Sequence, residues 1–243
     1  MSNHTRVTKS RLYLHLAILV FPTIPLAILQ WLKPPAPLNT HSYTELLWIF
    51  AFVLQWAAWL IPGFFISGVT LAQLFIKKEN IAKLTILALM WSLLLRVVIG
   101  LFMLIMMCFL SQDSVIALTH NITDRFNIFP CTGARFVYLF CKVILSAFLE
   151  ELWRASLFAG LFMINTSLFE SLAKVCVSAI MLAVPFSLLH VYQGALGIAA
   201  NLISGCAFAL ILVMRRSYFE AATTHALFNM FALTAIINVS HRP

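Results

Sequence analysis

Apolar residues run through this chain in long blocks separated by short polar breaks. Seven blocks come close to the roughly 20 residues that a helix needs to cross a bilayer core. They cover residues 12–32, 45–76, 84–110, 136–164, 171–190, 192–214 and 218–238. Pro22 and Pro25 break the first block, and Pro62-Gly63 falls near the middle of the second. Residues 45–76 therefore read either as one tilted span or as a span plus a shorter piece. The alternation expected of barrel strands is absent. Lipid offers no partner to a free backbone N–H or C=O, so spans of this kind close their hydrogen bonds within helices. The pattern predicts an all-α, polytopic transmembrane helix bundle of about seven spans, or eight if residues 45–76 divide.

Composition points the same way. Of the residues, 62% are hydrophobic and 10% charged, whereas a soluble domain has about 45–50% apolar and about 25% charged residues. The formal net charge is +8, and its distribution suggests a topology. Arg6, Lys9 and Arg11 precede the first block, Lys77, Lys78 and Lys83 lie between the second and third, and Arg215 and Arg216 follow the sixth. With seven spans these clusters share one side with Lys174, while the sparser Lys33, Arg125, Arg135, Lys142 and Arg242 take the other. Lys and Arg collect on the cytoplasmic side of short loops, which puts the N-terminus inside and the C-terminus outside. The first block is too long for a secretory leader, and no small-x-small site follows it, so it is expected to be retained. No basic patch with interleaved aromatics lies outside the spans, so no nucleic-acid partner is expected. Cys108, Cys131, Cys141, Cys176 and Cys206 are scattered, without a CxxC pair, and suggest neither a disulfide framework nor a thiolate zinc site.

Ionisable side chains are costly in lipid, and each one needs a reason. One group of them is dense. Glu150, Glu151 and Arg154 lie mid-block in LEELWRASLF, His190 ends the fifth block in PFSLLH, and His225 and Asn229 lie in the seventh in THALFN. Residues four apart share a helix face, so Glu150 aligns with Arg154, Phe186 with His190, and His225 with Asn229. Polar stripes on separate spans are expected to face one another, since facing lipid would leave them unpaired. Glu150, His190, His225 and Asn229 are therefore expected around one cavity, with Arg154 paired to Glu150 or Glu151. A carboxylate beside imidazoles suits general-base work. Imidazole and amide N–H groups can hold an oxyanion, and two histidines with a carboxylate can also ligate zinc. No Ser or Cys nucleophile motif and no HExxH stands out. Taken singly, each feature has a plainer reading: a Glu–Arg pair that neutralises itself, a histidine that joins two helices, or an Arg96 that pairs structurally. In the sixth block Gly197, Asn201, Gly205 and Ala209 recur every four residues. Such a stripe lets backbones approach closely and reads as general packing, Asn201 excepted.

In order, Glu150-Glu151-Leu152-Trp153-Arg154, Phe186-Ser-Leu-Leu-His190 and His225-Ala-Leu-Phe-Asn229 resemble the motifs of the CPBP family of intramembrane proteases. That family includes the type II CAAX prenyl proteases and the bacterial CAAX protease self-immunity proteins. The resemblance covers roughly residues 140–235. It implies that residues 136–238 form a catalytic helix bundle, and it leaves the transmembrane helices of residues 1–135 without a role. The implied activity is hydrolysis of a peptide bond in a membrane-associated protein or peptide. Glu150 would be the base that activates water, and His190, His225 and Asn229 would polarise the water or hold the oxyanion. Glu151 and Arg154 would support them. A divalent metal such as zinc on His190 and His225 and a metal-free glutamic mechanism both remain open, as does the substrate. The family spacing is EExxxR, whereas this chain has EExxR. That departure keeps alive an inactive relative serving in immunity or as a scaffold. A proton-coupled transporter would use the same residue types, although the inverted repeats of many transporters are not visible. The implied location is the bacterial inner membrane.

Overall fold

The computed structural model describes residues 8–25, 28, 42–67, 75–76, 80–110 and 133–240. Arg6, Lys33, Lys77, Lys78, Arg125, Cys131 and Arg242 lie outside the described residues, as do much of the first block beyond residue 28 and the 111–132 connection. Among the described residues the fold is all-helical, with seven α-helices: α1 Lys9–Val20, α2 Ser42–Ser67, α3 Ile81–Phe109, α4 Gly133–Ile164, α5 Leu172–Leu188, α6 Gly194–Arg215 and α7 Tyr218–Ser240. Short 3-10 turns, Thr166–Phe169 and Val191–Gln193, flank α5.

Helix ends follow local chemistry. α1 ends at Val20 just ahead of Pro22, which has no N–H to give to the Ile18 carbonyl; Trp59 Nε1 donates to that carbonyl instead, at 3.0 Å. The first block is thus broken at Pro22, and helical backbone resumes at residues 23–25. In α2, Pro62 is accommodated inside a single helix, so over Ser42–Ser67 the second stretch is one element. Asn80 caps α3 by accepting from the backbone N–H of Lys83 at 3.1 Å. Ser217 does the same for α7, accepting from the N–H of Glu220 at 3.0 Å. The hydroxyl thereby satisfies a donor that has no partner within its own helix. Arg216 takes a left-handed conformation (φ 48°), which ends α6 and turns the chain into α7.

Packing brings the C-terminal helices together. α5 lies along α6, α4 along α7, and α7 also contacts α3 and α6. α1 packs on α2 and on α4. Gly205 of α6 sits so close to α5 that an added Cβ would come within 2.9 Å of the Phe186 ring and 3.2 Å of the Ala183 Cβ. At Gly205 the small-residue stripe thus admits the ring on which the polar cluster rests. Among the described residues two helices, Ile81–Phe109 and Gly194–Arg215, are long and apolar enough to cross a membrane. On α3, Ile81, Ile86, Met90, Leu94, Leu101 and Phe109 all point outward and exposed. A water-facing surface rarely carries so continuous an apolar face, but a lipid-facing one does.

Candidate active site

Glu150, Glu151 and Arg154 fall in the middle of α4, where the helix runs through the interior. Glu151 and Arg154 are both fully buried and form an ion pair three residues apart. The guanidinium therefore goes to the second acid of the pair and not to Glu150, which lies four residues before it. Nε and Nη2 of Arg154 are buried without an oxygen acceptor among the described residues. The group instead lies over the Phe186 ring, 4.4 Å from its centroid, with Phe208 at 5.7 Å. A guanidinium is weakly hydrated and stacks well on aromatic faces, which suits it to this setting.

His225 stands between the two carboxylates. Its Nδ1 is 2.8 Å from Glu151 Oε1, and its Nε2 is 3.6 Å from Glu150 Oε2. A carboxylate can only accept, so Nδ1 carries the hydrogen and donates it to Glu151. The ring is held by Phe208 of α6, stacked at 4.3 Å and 19°, and by the edge-on Phe186 at 5.8 Å. The 100° between consecutive helical residues means that the two acids cannot face the histidines equally, and one imidazole meets them unequally, with a different nitrogen toward each at 2.8 Å and 3.6 Å.

His190 lies in the turn just beyond α5. Its ring folds back on the last turn, with Nδ1 3.0 Å from the carbonyl of Phe186, to which it donates, and the ring centroids of Phe186 and His190 are 4.7 Å apart. Phe186 therefore touches His190, His225 and Arg154 at once. Asn229 is one turn past His225 on α7 and half-buried, but its side chain makes no hydrogen bond among the described residues. Direct contact thus unites Glu150, Glu151, Arg154 and His225, His190 joins them through Phe186, and Asn229 stands on the same helix without a contact of its own. A cavity of about 660 Å³ lies elsewhere, between α1 and α2, lined by Ile18, Phe21, Gln55 and Trp59 among others.

The donors do not assemble a metal centre. Among the described residues no three His, Cys, Asp or Glu side chains are grouped to hold an ion. The metal-assisted alternative on His190 and His225 therefore lacks, among those residues, the donor set it needs.

Three buried residues at or near this region escape the sequence motifs. Phe208 is the stacking partner of His225, and nothing distinguishes it from other apolar residues of its block. Glu220, in the first turn of α7, accepts from Trp91 Nε1 at 3.1 Å and from Arg215 Nε at 3.1 Å, tying α3 and α6 to the start of the helix that carries His225. Its signal in the sequence was the S-x-x-E capping pattern of Ser217 and Glu220. His15 of α1 donates or accepts at both ring nitrogens, with Nδ1 2.9 Å from the Gly63 carbonyl and Nε2 3.1 Å from Ser156. It joins α1 to α2 and to the far half of α4.

Residues 132–231 match the family described as Type II CAAX prenyl endopeptidase Rce1-like. No curated protein matches the chain, and no solved structure matches it. The matched segment takes in all three motifs and spans α4 through most of α7.

Proposed function

With residues 132–231 falling in the CAAX-protease family, as the three motifs implied, we infer that the chain is an intramembrane peptidase that hydrolyses a peptide bond of a membrane-associated protein or peptide with a carboxylate-activated water. The observation that carries this reading is the division of labour between the two acids. Glu151 is fully buried and bound to Arg154 and His225, so its charge is committed. Glu150 has no arginine partner, keeps 15% of its side chain exposed, and stands 3.6 Å from His225 Nε2. Of the two, Glu150 is the carboxylate with room to take a proton from water.

The chemistry follows from these roles. Glu150 accepts a proton from a water molecule whose oxygen attacks the carbonyl carbon of the scissile bond. With Nδ1 of His225 donating to Glu151, its Nε2 presents a lone pair toward Glu150 that can orient that water, and His190 is held beside it by the Phe186 ring. The Asn229 amide supplies an N–H for the oxyanion. Glu150 then returns the proton to the leaving amine. The short spacing EExxR is compatible with this scheme because an i, i+3 pair lets Arg154 reach Glu151 and leaves Glu150 unencumbered. In this reading residues 136–238 are the catalytic bundle, and the helices of residues 1–135 brace it.

Detergent-purified protein, challenged with a membrane-peptide library and read by mass spectrometry, tests the proposal. Cleavage products from the unmodified chain that vanish in Glu150→Gln are expected. No cleavage by the unmodified chain, with its cellular role retained in Glu150→Gln, selects the inactive relative instead.

A further inference from the structure

α3 is the most apolar of the helices, with a mean hydropathy of 2.5 over its best window, yet it carries Arg96 near its midpoint. At 1.5 Å per residue Arg96 lies about 22 Å from the start of the helix and about 20 Å from its end, so in a spanning helix it sits near the centre of the roughly 30 Å hydrocarbon layer. A guanidinium is charged in any environment, and an uncompensated charge at that depth is among the costliest placements a membrane protein can make.

The arginines of this molecule solve that problem differently. Arg154 meets Glu151 and Arg215 meets Glu220. Arg96 meets no carboxylate among the described residues. Its Nη2 donates to the carbonyl of Phe228, and its guanidinium lies 4.3 Å from the centroid of the Phe228 ring. Its Nε is buried with no acceptor among the described residues. The group is therefore positioned by α7 and yet left, among those residues, with one donor unanswered and no carboxylate to balance its charge.

Its location gives that charge a use. Phe228 stands between His225 and Asn229 in the chain, its ring packs edge-on against Phe208 at 5.9 Å, and Phe208 stacks on His225 at 4.3 Å. Arg96 is thus two rings, Phe228 and Phe208, removed from His225. A lipid phosphate lies at the bilayer surface, about 15 Å from the centre of a core of that thickness. An apolar peptide, by contrast, carries a carboxylate to any depth it reaches.

We propose that Arg96 is the receptor for a carboxylate of an apolar membrane peptide, whether the terminal carboxylate or an Asp/Glu side chain, bound beside the His225 site. The proposal rests on the peptidase reading of that site and names a group its ligand must carry. The carboxylate accepts from the guanidinium in a charge-assisted pair, which balances the half-buried cation and fixes the peptide against α7.

The test is a binding measurement in phosphatidylcholine nanodiscs on the Glu150→Gln chain, so that turnover does not interfere. The probes are a fluorophore-labelled leucine–alanine peptide of about eight residues with a free C-terminal carboxylate, the same peptide as its C-terminal amide, and the amide with one internal glutamate. A carboxylate peptide should bind about tenfold more tightly than the plain amide. Arg96→Gln should abolish that preference while leaving amide binding unchanged, and Arg96→Lys should keep part of it. The internal-glutamate arm tells the two carboxylate sources apart. Equal binding of acid and amide to the chain with Arg96 in place overturns the proposal, even if Arg96→Gln does not fold. A preference that survives Arg96→Gln also overturns it. So does a preference that disappears when phosphatidylglycerol replaces phosphatidylcholine, since the anion is then a lipid headgroup. Failure of the peptidase reading looks different: the acid preference is present while the unmodified chain cleaves nothing.

Discussion

Two regions of the molecule each enclose a histidine almost completely, and they use it in opposite ways. His15, in the N-terminal region, is 0% exposed, and His225, in the C-terminal region, is 3% exposed. His15 sits between the backbone carbonyls of Gly63 and Ser156 and the Ser156 hydroxyl. It occupies a slot formed by two glycines: an added Cβ at Gly63 would lie 3.3 Å from its Nδ1, and one at Gly160 3.1 Å from its Cδ2. His225 instead has a carboxylate at each nitrogen and an aromatic ring on its face. Burial alone therefore does not mark a chemical site. Carbonyl partners make a histidine a joint between helices, whereas carboxylate partners place it where protons can be exchanged.

The sharpest way to break that contrast is at the unpaired acid. Glu150→Gln should lower cleavage by about 10³-fold, within the range general-base groups contribute, whereas Glu151→Gln should leave measurable turnover. A paired assay in membranes with an identified substrate checks both. If Glu151→Gln is inactive and Glu150→Gln retains full activity, the two roles are exchanged.

Next in size is the ion pair. Arg154→Ala strands a fully buried carboxylate, and removing one partner of such a pair costs about 3–5 kcal/mol. Reversible unfolding in mixed micelles should show this loss even for protein purified without substrate. A stability change below about 1 kcal/mol would mean that Arg154 is not holding the cluster together. Gly205→Val should cost about 1–3 kcal/mol by overpacking against Phe186 and Ala183, and it should lower turnover as well, because Phe186 supports three members of the cluster.

His15→Phe tests the other half of the comparison. Loss of its hydrogen bonds to two neighbouring helices should destabilise the fold by about 1 kcal/mol with little change in kcat for the protein that remains folded. A large fall in kcat at unchanged stability would show that the N-terminal helices take part in the chemistry. Tyr218→Phe, which removes the hydrogen bond to the Phe148 carbonyl (2.9 Å), should have the smallest effect, about 0.6 kcal/mol, as is typical of polar contacts between membrane helices.

The extent to which this molecule is legible in its sequence differs between the same two regions. Helices α3 to α7 fall close to the apolar blocks, because a run of some 20 apolar residues with capping Asn or Ser at its start leaves few alternatives to a helix. The polar cluster was visible for the same reason, since Glu150, Glu151, Arg154 and His225 interrupt runs that are otherwise almost wholly apolar. The identity of the arginine's partner was not visible. Spacings of three and four both bring side chains together on a helix, and only the packing of Phe186 and Phe208 shows Arg154 lying toward Glu151. The role of His15 was hidden more deeply. Its partners are 48 and 141 residues away, and its slot is defined by glycines, which announce themselves only by what they lack. Phe208 was hidden because one phenylalanine in an apolar block looks like any other until the helices are placed.

The uneven exposure of the two acids has a consequence for kinetics. Water is scarce in a bilayer core, so an enzyme that hydrolyses there has two substrates to admit, and the smaller one arrives through protein rather than through lipid. With Glu151 sealed and Glu150 15% open, the proposed peptidase would take up its water beside Glu150. Its turnover would then be set by how often a water molecule enters there as much as by the bond being cut. Rates should then follow the activity of water in the surrounding medium, falling in osmolyte-rich or low-hydration lipid phases even where the peptide is bound equally well.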